Sequence, residues 1–461
     1  MHAVCLALLV AGQSSPELPA GPIELEAAVE MALAHANEMI QAKQDRLLVE
    51  VEYMEALSAV LPRFDLSMSG GEFFSGKRYI ESRNPVPAQL PTKIPQFTFG
   101  PFVDAQANPY SNPQFSLGLT GRQLIYDGGR WWKALDRVDD LREARSAALD
   151  AVRNRVRSQV VQGFYALEKA RRAITTFEAQ LAVDRAQVAR AQGIVDAGRG
   201  SRVDVATAER NLIQDEIQLN AFLRDEAQAR RTFNLLLGRD PQLPADLAVP
   251  ATVTATATPS AVVPPLDDLL GLAMDHRPEL KDLKAQLNAL GEEVGIAAAG
   301  YWPTVTLDAN YRRSSRKPFR VIGNPFENYL ATLDLTIQWN LFEGRATEAR
   351  VQRARINLKK QAAAFENLER QTRAEVEDRR EELERQRRIH ALALSQVKVA
   401  QEAVRLARGL FTAGRGTSLE LRDAELRLTQ ARLTVISARL DVEVARAALA
   451  YVVGVDPFKE G

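Results

Sequence analysis

The residue types that most often carry catalysis are present in this sequence, but their spacing does not suit a catalytic or metal site. The four histidines are scattered: His2, His35, His276 and His390 include no pair four residues apart, a common helical spacing of zinc ligands. The glycine-rich segment 198–201 lacks the lysine and the preceding strand of a phosphate-binding loop. The sequence therefore predicts no enzyme, no cofactor and no metal site.

The composition excludes further classes of protein. The 461 residues include 59 Lys+Arg against 59 Asp+Glu, so the chain lacks the net positive charge that nucleic-acid binding requires. No run of about 18 apolar residues predicts a membrane-spanning helix. Any membrane contact is therefore expected to use strands or surface attachment.

The first residues resemble a secretory signal, with an ordinary buried N-terminus as the alternative. Segment 1–13 is a short apolar run followed by polar residues, without the basic residues that usually precede such a run, so we expect the true start to lie upstream. Cys5, the only cysteine, lies inside this run. The mature chain is therefore expected to form neither disulfides nor thiolate metal sites.

The rest of the chain consists of two copies of one sequence repeat. Segments 126–129, 197–201 and 237–241 correspond to segments that each lie 216 residues later, beginning at 342, 413 and 453. Upstream, His35 corresponds to His276, so the first copy holds extra residues, which we assign to the proline-rich stretch 75–113. We predict a first repeat at 23–241, a linker or equatorial region at 242–264, and a second repeat at 265–457.

The sequences of the two repeats predict the same order of helices and strands. A helix at 23–60 or 266–300 stops before a proline and is followed by two β segments. Next comes a proline-free helical stretch, 131–196 or 346–412, which would reach roughly 100 Å at 1.5 Å per residue. A glycine turn reverses the chain, and a returning helix of about 36 residues (roughly 54 Å at the same rise) completes a hairpin.

The two turns carry similar signals. Gly198 and Gly200 can adopt the left-handed backbone that ends a helix, as can their counterparts in the second copy. Ser201 with Asp204, and Thr417 with Glu420, have the spacing of capping boxes that would start the returning helices.

The β segments alternate between apolar and polar residues. In 304–312 and 328–339 one face is apolar, which fits either a half-buried soluble hairpin or an outer-membrane barrel; the signal-like start and the long helices favour the barrel. The opposite face would line the lumen, with Thr306, Asp308, Asn310, Asp334 and Thr336. Four strands cannot close a barrel, so several chains are expected to share one.

These landmarks, in order and repeated, resemble the TolC family of outer-membrane factors. The motifs are Leu-Pro at 61–62, Tyr-Asp-Gly-Gly at 126–129, the turn at 197–205 and Leu-Leu-Gly at 236–238. The resemblance implies a mainly α fold with a membrane β-barrel portion: a homotrimer with a shared 12-strand barrel above a 12-helix tunnel. It also implies an outer-membrane location in a Gram-negative-type bacterium, with a periplasmic extension.

The resemblance further implies an efflux or type I secretion channel whose hairpin tips dock a periplasmic adaptor linked to an inner-membrane pump. The tip residues are Gly198, Arg199, Ser201, Arg202, Asp204, Gly414, Arg415, Thr417 and Glu420. The second copy departs from the pattern at 342–345 and at the tip, 417–421, and we interpret both departures as tolerated drift. The cargo is not specified by the sequence.

A basic stripe precedes the second tip. Lys398, Arg405 and Arg408 share one helix face, which either points outward and is simply solvated or forms a basic ring at the periplasmic constriction. Two other protein classes also have long helices: a coiled-coil scaffold and a periplasmic adaptor without a barrel. The alternating strands argue against the first, and the doubled hairpin argues against the second.

Overall fold

The computed structural model describes residues 22–75, 110–198, 200–249, 263–413 and 415–455. The signal-like segment 1–13, Arg199, Gly414 and most of the proline-rich stretch lie outside the described residues. The boundaries of the two repeats stay a prediction.

The described elements follow the predicted order in both halves of the chain. The first half has β1 (Ile23–Glu24), α1 (Leu25–His35), α2 (Asn37–Ser58), β2 (Arg63–Ser75), β3 (Tyr110–Tyr126), α3 (Arg130–Asp196) and α4 (Arg202–Leu236). The second half has β4 (Leu247–Ala248), α5 (Leu266–His276), α6 (Pro278–Ala298), β5 (Thr304–Ser315), α7 (Pro318–Ile322), β6 (Tyr329–Gln338), α8 (Ala346–Thr412) and α9 (Ser418–Val453). Both long helices are confirmed, at 67 residues each.

The helix predicted at the start of each repeat is wrong as a single element, because each is two helices. The chain is extended at Ala36, between α1 and α2, and at Arg277, between α5 and α6. Pro278 explains the second break, because a proline disfavours helical backbone in the residue before it. At the first break the glycine that ends α4 packs closely: a Cβ on Gly238 would lie 2.9 Å from the His35 carbonyl oxygen.

The chain forms two compact units. The helical unit comprises Met1–Glu52, Arg137–Gly291 and Ile356–Gly461, and the sheet unit comprises Tyr53–Asp136 and Glu292–Arg355. In the helical unit the apolar stripes of the helices meet in two buried cores. Phe164 of α3 and Phe233 of α4 are fully buried in the first core, with ring centroids 6.1 Å apart. Leu383 of α8 and Leu449 of α9 are fully buried in the second. Among the described residues, no helix is long and apolar enough to cross a membrane.

The sheet unit contains an antiparallel sheet in the order β2-β3-β5-β6. The register of β3 against β5 shifts once, between Leu124 and Tyr126. In the described part of the chain β2 and β6 are the edge strands, and each has one side without a strand partner. The β segments predicted from alternation are therefore confirmed.

Candidate channel lining and hairpin tips

The five residues predicted to line a lumen lie on one face of the sheet. Residues paired directly across strands share a face, and Asp308 pairs with Asp334, Thr306 with Thr336, and Asn310 with Thr332. This face is polar along all four strands, because Asp65 and Thr120 pair with each other and Thr120 pairs with Asn310.

A cation that sequence analysis missed completes this polar face. Arg122 of β3 pairs with Asp308, and its Nε donates to Asp308 Oδ1 at 2.6 Å. Thr306 Oγ1 donates to Asp308 Oδ2 at 3.3 Å. Arg122 continues the alternation of Ser116, Gly118 and Thr120, so this spacing could have identified it.

The opposite face of the sheet is apolar and exposed. It carries Leu66 of β2, Leu119 of β3, and Leu333, Leu335 and Ile337 of β6, all exposed in the single chain. A contiguous apolar face of this size requires a partner or a lipid environment.

The first hairpin tip joins α3 to α4. Gly198 has a φ of +72°, in the left-handed region, and its N–H donates to the Val195 carbonyl at 2.8 Å, as predicted for a helix-ending turn. Gly200 is not in that region, which corrects the prediction for this glycine. Ser201 caps α4 by accepting from the Val203 N–H at 3.1 Å, not from Asp204 as a capping box requires. Its oxygen therefore reaches the second residue of α4 rather than the third.

The second tip has a more regular helix start. The Thr417 side chain accepts from the Glu420 N–H at 3.2 Å, and Glu420 Oε2 accepts from the Thr417 N–H at 2.9 Å, so the predicted capping box is confirmed. The N–H of Arg415 donates to the Leu410 carbonyl at 2.9 Å and helps to close α8. Arg415, Thr417 and Glu420 are exposed, as are Arg202 and Asp204 at the first tip.

Each tip also exposes one large apolar side chain that sequence analysis missed. Val203 is 70% exposed and Leu419 is 68% exposed, and the two occupy equivalent positions 216 residues apart. Burial of these two side chains against a partner would be favourable. The repeat alignment could have revealed the pair, because an apolar residue stands at this position in both copies.

The basic stripe on α8 is exposed but its arginines have carboxylate partners. Arg405 Nε donates to Glu402 Oε2 at 2.8 Å, and this hydrogen bond lowers the pKa of Glu402. Arg408 Nη2 donates to Glu425 Oε1 of α9 at 3.0 Å. Lys398, seven residues before Arg405 and so about two turns further from the tip, is also exposed. The stripe is therefore a set of ion pairs more than a row of isolated positive charges.

A buried ionic cluster, absent from the predicted sites, connects the two hairpins. Arg422 of α9 donates to Asp184 of α3, and its Nη2 lies 2.6 Å from Asp215 Oδ2 of α4; all three residues are buried. Gln180 Nε2 donates to Asp184 Oδ1 at 3.1 Å, and Thr429 Oγ1 donates to Gln180 at 2.8 Å. Asp184 falls between Leu181 and Val188 on the apolar face of α3, which was the available signal.

Two carboxylates share one arginine in this cluster. Burial, followed by the hydrogen bond with Asp215, raises the pKa of Asp184 from 3.8 to about 7, although Arg422 opposes the shift. The cluster therefore holds a proton over part of the physiological pH range.

Comparison with known proteins places these features in a family. The family model described as outer membrane efflux protein matches the chain twice, over residues 28–239 and 269–455. Protein CyaE of Bordetella pertussis is 30% identical over 224 residues, which is 46% of this chain and 46% of that protein. The toluene efflux pump outer membrane protein TtgF of Pseudomonas putida is 30% identical over 114 residues, 25% of this chain and 22% of that protein. Each match thus covers less than half the length of the curated relative.

The fold extends this likeness over nearly the whole chain. The open state of the MtrE outer membrane channel of Neisseria gonorrhoeae superposes with a TM-score of 0.74 at 17% identity, covering 96% of this chain and 94% of that chain. At this identity the likeness concerns the fold alone.

Proposed function

Because this chain belongs to the outer membrane efflux protein family, we propose that it is the outer-membrane channel of a tripartite efflux or type I secretion system. It gives substrates a continuous exit duct across the periplasm and the outer membrane. The chain is an outer-membrane protein with a periplasmic extension, and α3, α4, α8 and α9 form the periplasmic part.

One observation carries the proposal: a single chain combines a two-faced sheet with two hairpins built on 67-residue helices. The apolar face of the sheet suits lipid and its polar face suits water. Each long helix reaches roughly 100 Å, far more than the diameter of a small compact domain.

A homotrimer would satisfy the surfaces that the single chain leaves open. The free sides of β2 and β6 need strand partners inside a membrane. Along α8, Leu392, Val399 and Leu406 are exposed at intervals of seven residues, a pattern typical of a helix seam that packs on another helix. Three chains would supply twelve strands for a closed barrel.

Within the trimer, the polar face formed by Thr306, Asp308, Asn310, Asp334 and Thr336 lines the barrel, with Arg122 beside Asp308. Lys398, Arg405 and Arg408 lie near the periplasmic entrance. If they form a ring there, Glu402 and Glu425 offset part of its positive charge, so its preference for anions is weak.

The tips dock a periplasmic adaptor, which links the channel to an inner-membrane pump. Gly198 and Ser201 shape the first tip, and Arg202 and Asp204 offer charge around the exposed Val203. At the second tip Arg415, Thr417 and Glu420 surround Leu419; Arg199 and Gly414 remain assigned to these tips from the sequence. Rim charges steer association, and burial of the exposed Val203 and Leu419 side chains against the adaptor adds contact energy.

The decisive experiment tests assembly and conduction together. The purified protein is expected to migrate as a trimer in mild detergent, to release monomer on heating, and to conduct in planar bilayers. A monodisperse, water-soluble monomer would contradict the proposal and favour a periplasmic scaffold. In the same bilayers, Arg405→Glu with Arg408→Glu is expected to shift the reversal potential under a salt gradient toward cations; an unchanged potential in a conducting channel excludes the ring.

The tips are tested separately by crosslinking in cells. Val203→Ser with Leu419→Ser is expected to lower adaptor crosslinking more than Arg202→Glu with Arg415→Glu, while trimer migration stays normal. Undiminished crosslinking and export in both double variants would remove the tips from the docking surface.

A further inference from the structure

The connection between β5 and β6 lies at the end of the sheet opposite the strand ends that lead to α6 and α8. β5 begins after α6 and β6 leads into α8, so the strand ends nearer these helices form one edge of the sheet and residues 316–328 span the other. With the helices in the periplasm, this connection, which we call the outer loop, faces the cell exterior. The orientation rests on the proposed channel function.

The outer loop is fixed to the sheet by two side chains. Arg313 is only 5% exposed, and its guanidinium donates to the carbonyls of Glu327 at 3.2 Å, Gly323 at 2.9 Å and Arg320 at 3.0 Å. The Tyr311 hydroxyl donates to the Pro325 carbonyl. Tyr311 and Arg313 alternate with the polar face of β5, so the loop folds over the apolar, lipid-facing side of the sheet.

The outer loop combines exposed cations with exposed aromatic rings. From 316 to 328 the chain has three basic residues and one acidic residue, Glu327, a balance of +2. Among the described residues, none of the three exposed cations of the outer loop has an ion-pair partner: Arg316, Lys317 and Arg320. Phe319 is 87% exposed and Phe326 is 82% exposed, and Ile322 is exposed beside them.

Next to the outer loop the apolar face has an indentation. Gly121, Ala309 and Ala331 are small residues on neighbouring strands, and they leave a cavity of about 330 Å³ whose wall includes Tyr311 and Leu333. Tyr311 therefore both lines the cavity and holds the outer loop through the Pro325 carbonyl.

We propose that the outer loop and this cavity bind a phosphorylated lipid of the outer leaflet. Arg316, Lys317 and Arg320 contact the phosphate, because guanidinium and ammonium groups form charge-assisted hydrogen bonds with phosphate oxygens. Phe319 and Phe326 lie at the level of the headgroups, where aromatic side chains are favoured. An acyl chain occupies the cavity between Tyr311 and Leu333, where burial of its methylene groups adds affinity.

The test compares binding of diphosphoryl lipid A with binding of the same lipid after removal of its phosphates, using the detergent-purified trimer and native mass spectrometry. Wild type is expected to prefer the phosphorylated lipid, and added salt should weaken that preference. The triple variant Arg316→Gln, Lys317→Gln, Arg320→Gln should bind it at least about tenfold more weakly, since each basic residue contributes measurably at an anionic surface.

The matched control replaces three exposed arginines of the helical unit: Arg224→Gln, Arg385→Gln and Arg427→Gln should bind as wild type does. Ala331→Leu fills the cavity and should weaken binding of both lipids while keeping the preference for phosphate. Equal binding of the two lipids by wild type, or an unaltered affinity in the outer-loop triple variant, overturns the proposal. If millimolar inorganic phosphate displaces the lipid, the site binds a free anion. If an extracellular protein displaces it, the site is a protein-binding surface. Either result would also overturn the proposal.

Trimer migration and conductance are measured on the same samples. If they stay normal while lipid binding fails, only the lipid site is rejected. If wild type itself fails to form a conducting trimer, the channel proposal fails first.

Discussion

The two hairpins share a backbone plan but bring different charges to the seam between them. The first hairpin supplies Asp184 and Asp215, and the positions 216 residues later are Ala400 and Ala431. The second supplies Arg422, and the position 216 residues earlier is Ala206. An ionic cluster between identical hairpins would require each to carry both signs. Divergence of the two copies is therefore what allows one hairpin to recognise the other in a fixed arrangement.

The turns that precede α3 and α8 show the opposite relation, because their residues differ between the two copies whereas their backbone conformation is the same. Gly128 and Gly344 have φ values of +76° and +56°, and the next residues, Gly129 and Arg345, have +87° and +67°. Arginine thus takes the left-handed conformation that glycine takes in the first copy. Where a Cβ has no room, however, both copies keep glycine, as at Gly238 and Gly454.

The largest expected effect comes from breaking the charge asymmetry. Arg422→Leu leaves two buried carboxylates without their cation, so we expect a loss of about 3–5 kcal/mol in the free energy of unfolding. Urea unfolding followed by circular dichroism in detergent measures it. Arg427→Leu is the control, because the Arg427–Asp423 pair is exposed and should change little. Equal stability of both variants would show that the cluster does not join the hairpins.

The second effect concerns the two glycines that the copies share. In Gly238→Ala and Gly454→Ala the new Cβ would lie 2.9 Å and 2.8 Å from the carbonyl oxygens of His35 and His276, in a left-handed backbone. We expect each to lose about 2–3 kcal/mol by the same measurement. Gly198→Ala, with the same sign of φ but no heavy atom of the described residues within 4 Å, should lose less. If Gly198→Ala loses as much stability, the positive φ, and not the close contact, is the cause of the loss.

The pH dependence of the free energy of unfolding tests Asp184, a carboxylate that the first hairpin carries and the second lacks. The pKa of Asp184 is raised to about 7, so the folded protein keeps a proton that the unfolded chain releases near pH 4. The stabilising contribution is complete below about pH 4 and is lost as pH rises toward 7. Asp184→Asn, which keeps the Arg422–Asp215 pair, should therefore be more stable than wild type at pH 8, by on the order of 2 kcal/mol, and similar at pH 4.

The outcome to look for is the slope of unfolding free energy against pH. A slope between pH 4 and 7 that is unchanged by Asp184→Asn would assign the titration to another group. Ala400→Asn, at the equivalent position of the second hairpin, is the matched control and should leave the slope unaltered.

Local patterns in the sequence predicted the elements well. The uninterrupted apolar period at 131–196 matches α3, and alternation at 304–312 and 328–339 matches β5 and β6, because both signals are local. No proline or glycine marks the break at Ala36, where His35 packs against Gly238 some 200 residues away, so local patterns did not predict it. The Asp184–Arg422 contact was missed for the same reason, and the roles of the tips and of the α8 stripe depend on other chains.

The smallest expected effect concerns the turns that precede α3 and α8. It tests whether these turns tolerate a side chain because no neighbouring atoms obstruct it. Gly129 has a φ of +87° and no heavy atom of the described residues within 4 Å of a built Cβ, so Gly129→Ala should lose only about 1 kcal/mol, the cost of a left-handed backbone. Arg345→Gly should do the reverse and raise stability slightly, because relief of that backbone exceeds the loss of the exposed Arg345–Glu348 pair. The added freedom of glycine in the unfolded chain limits the gain. Glu348→Gln removes the pair without changing the backbone and isolates its share. If Arg345→Gly is less stable than Glu348→Gln, the arginine is favoured at this turn for a reason other than the pair, and the two connections have diverged in more than sequence.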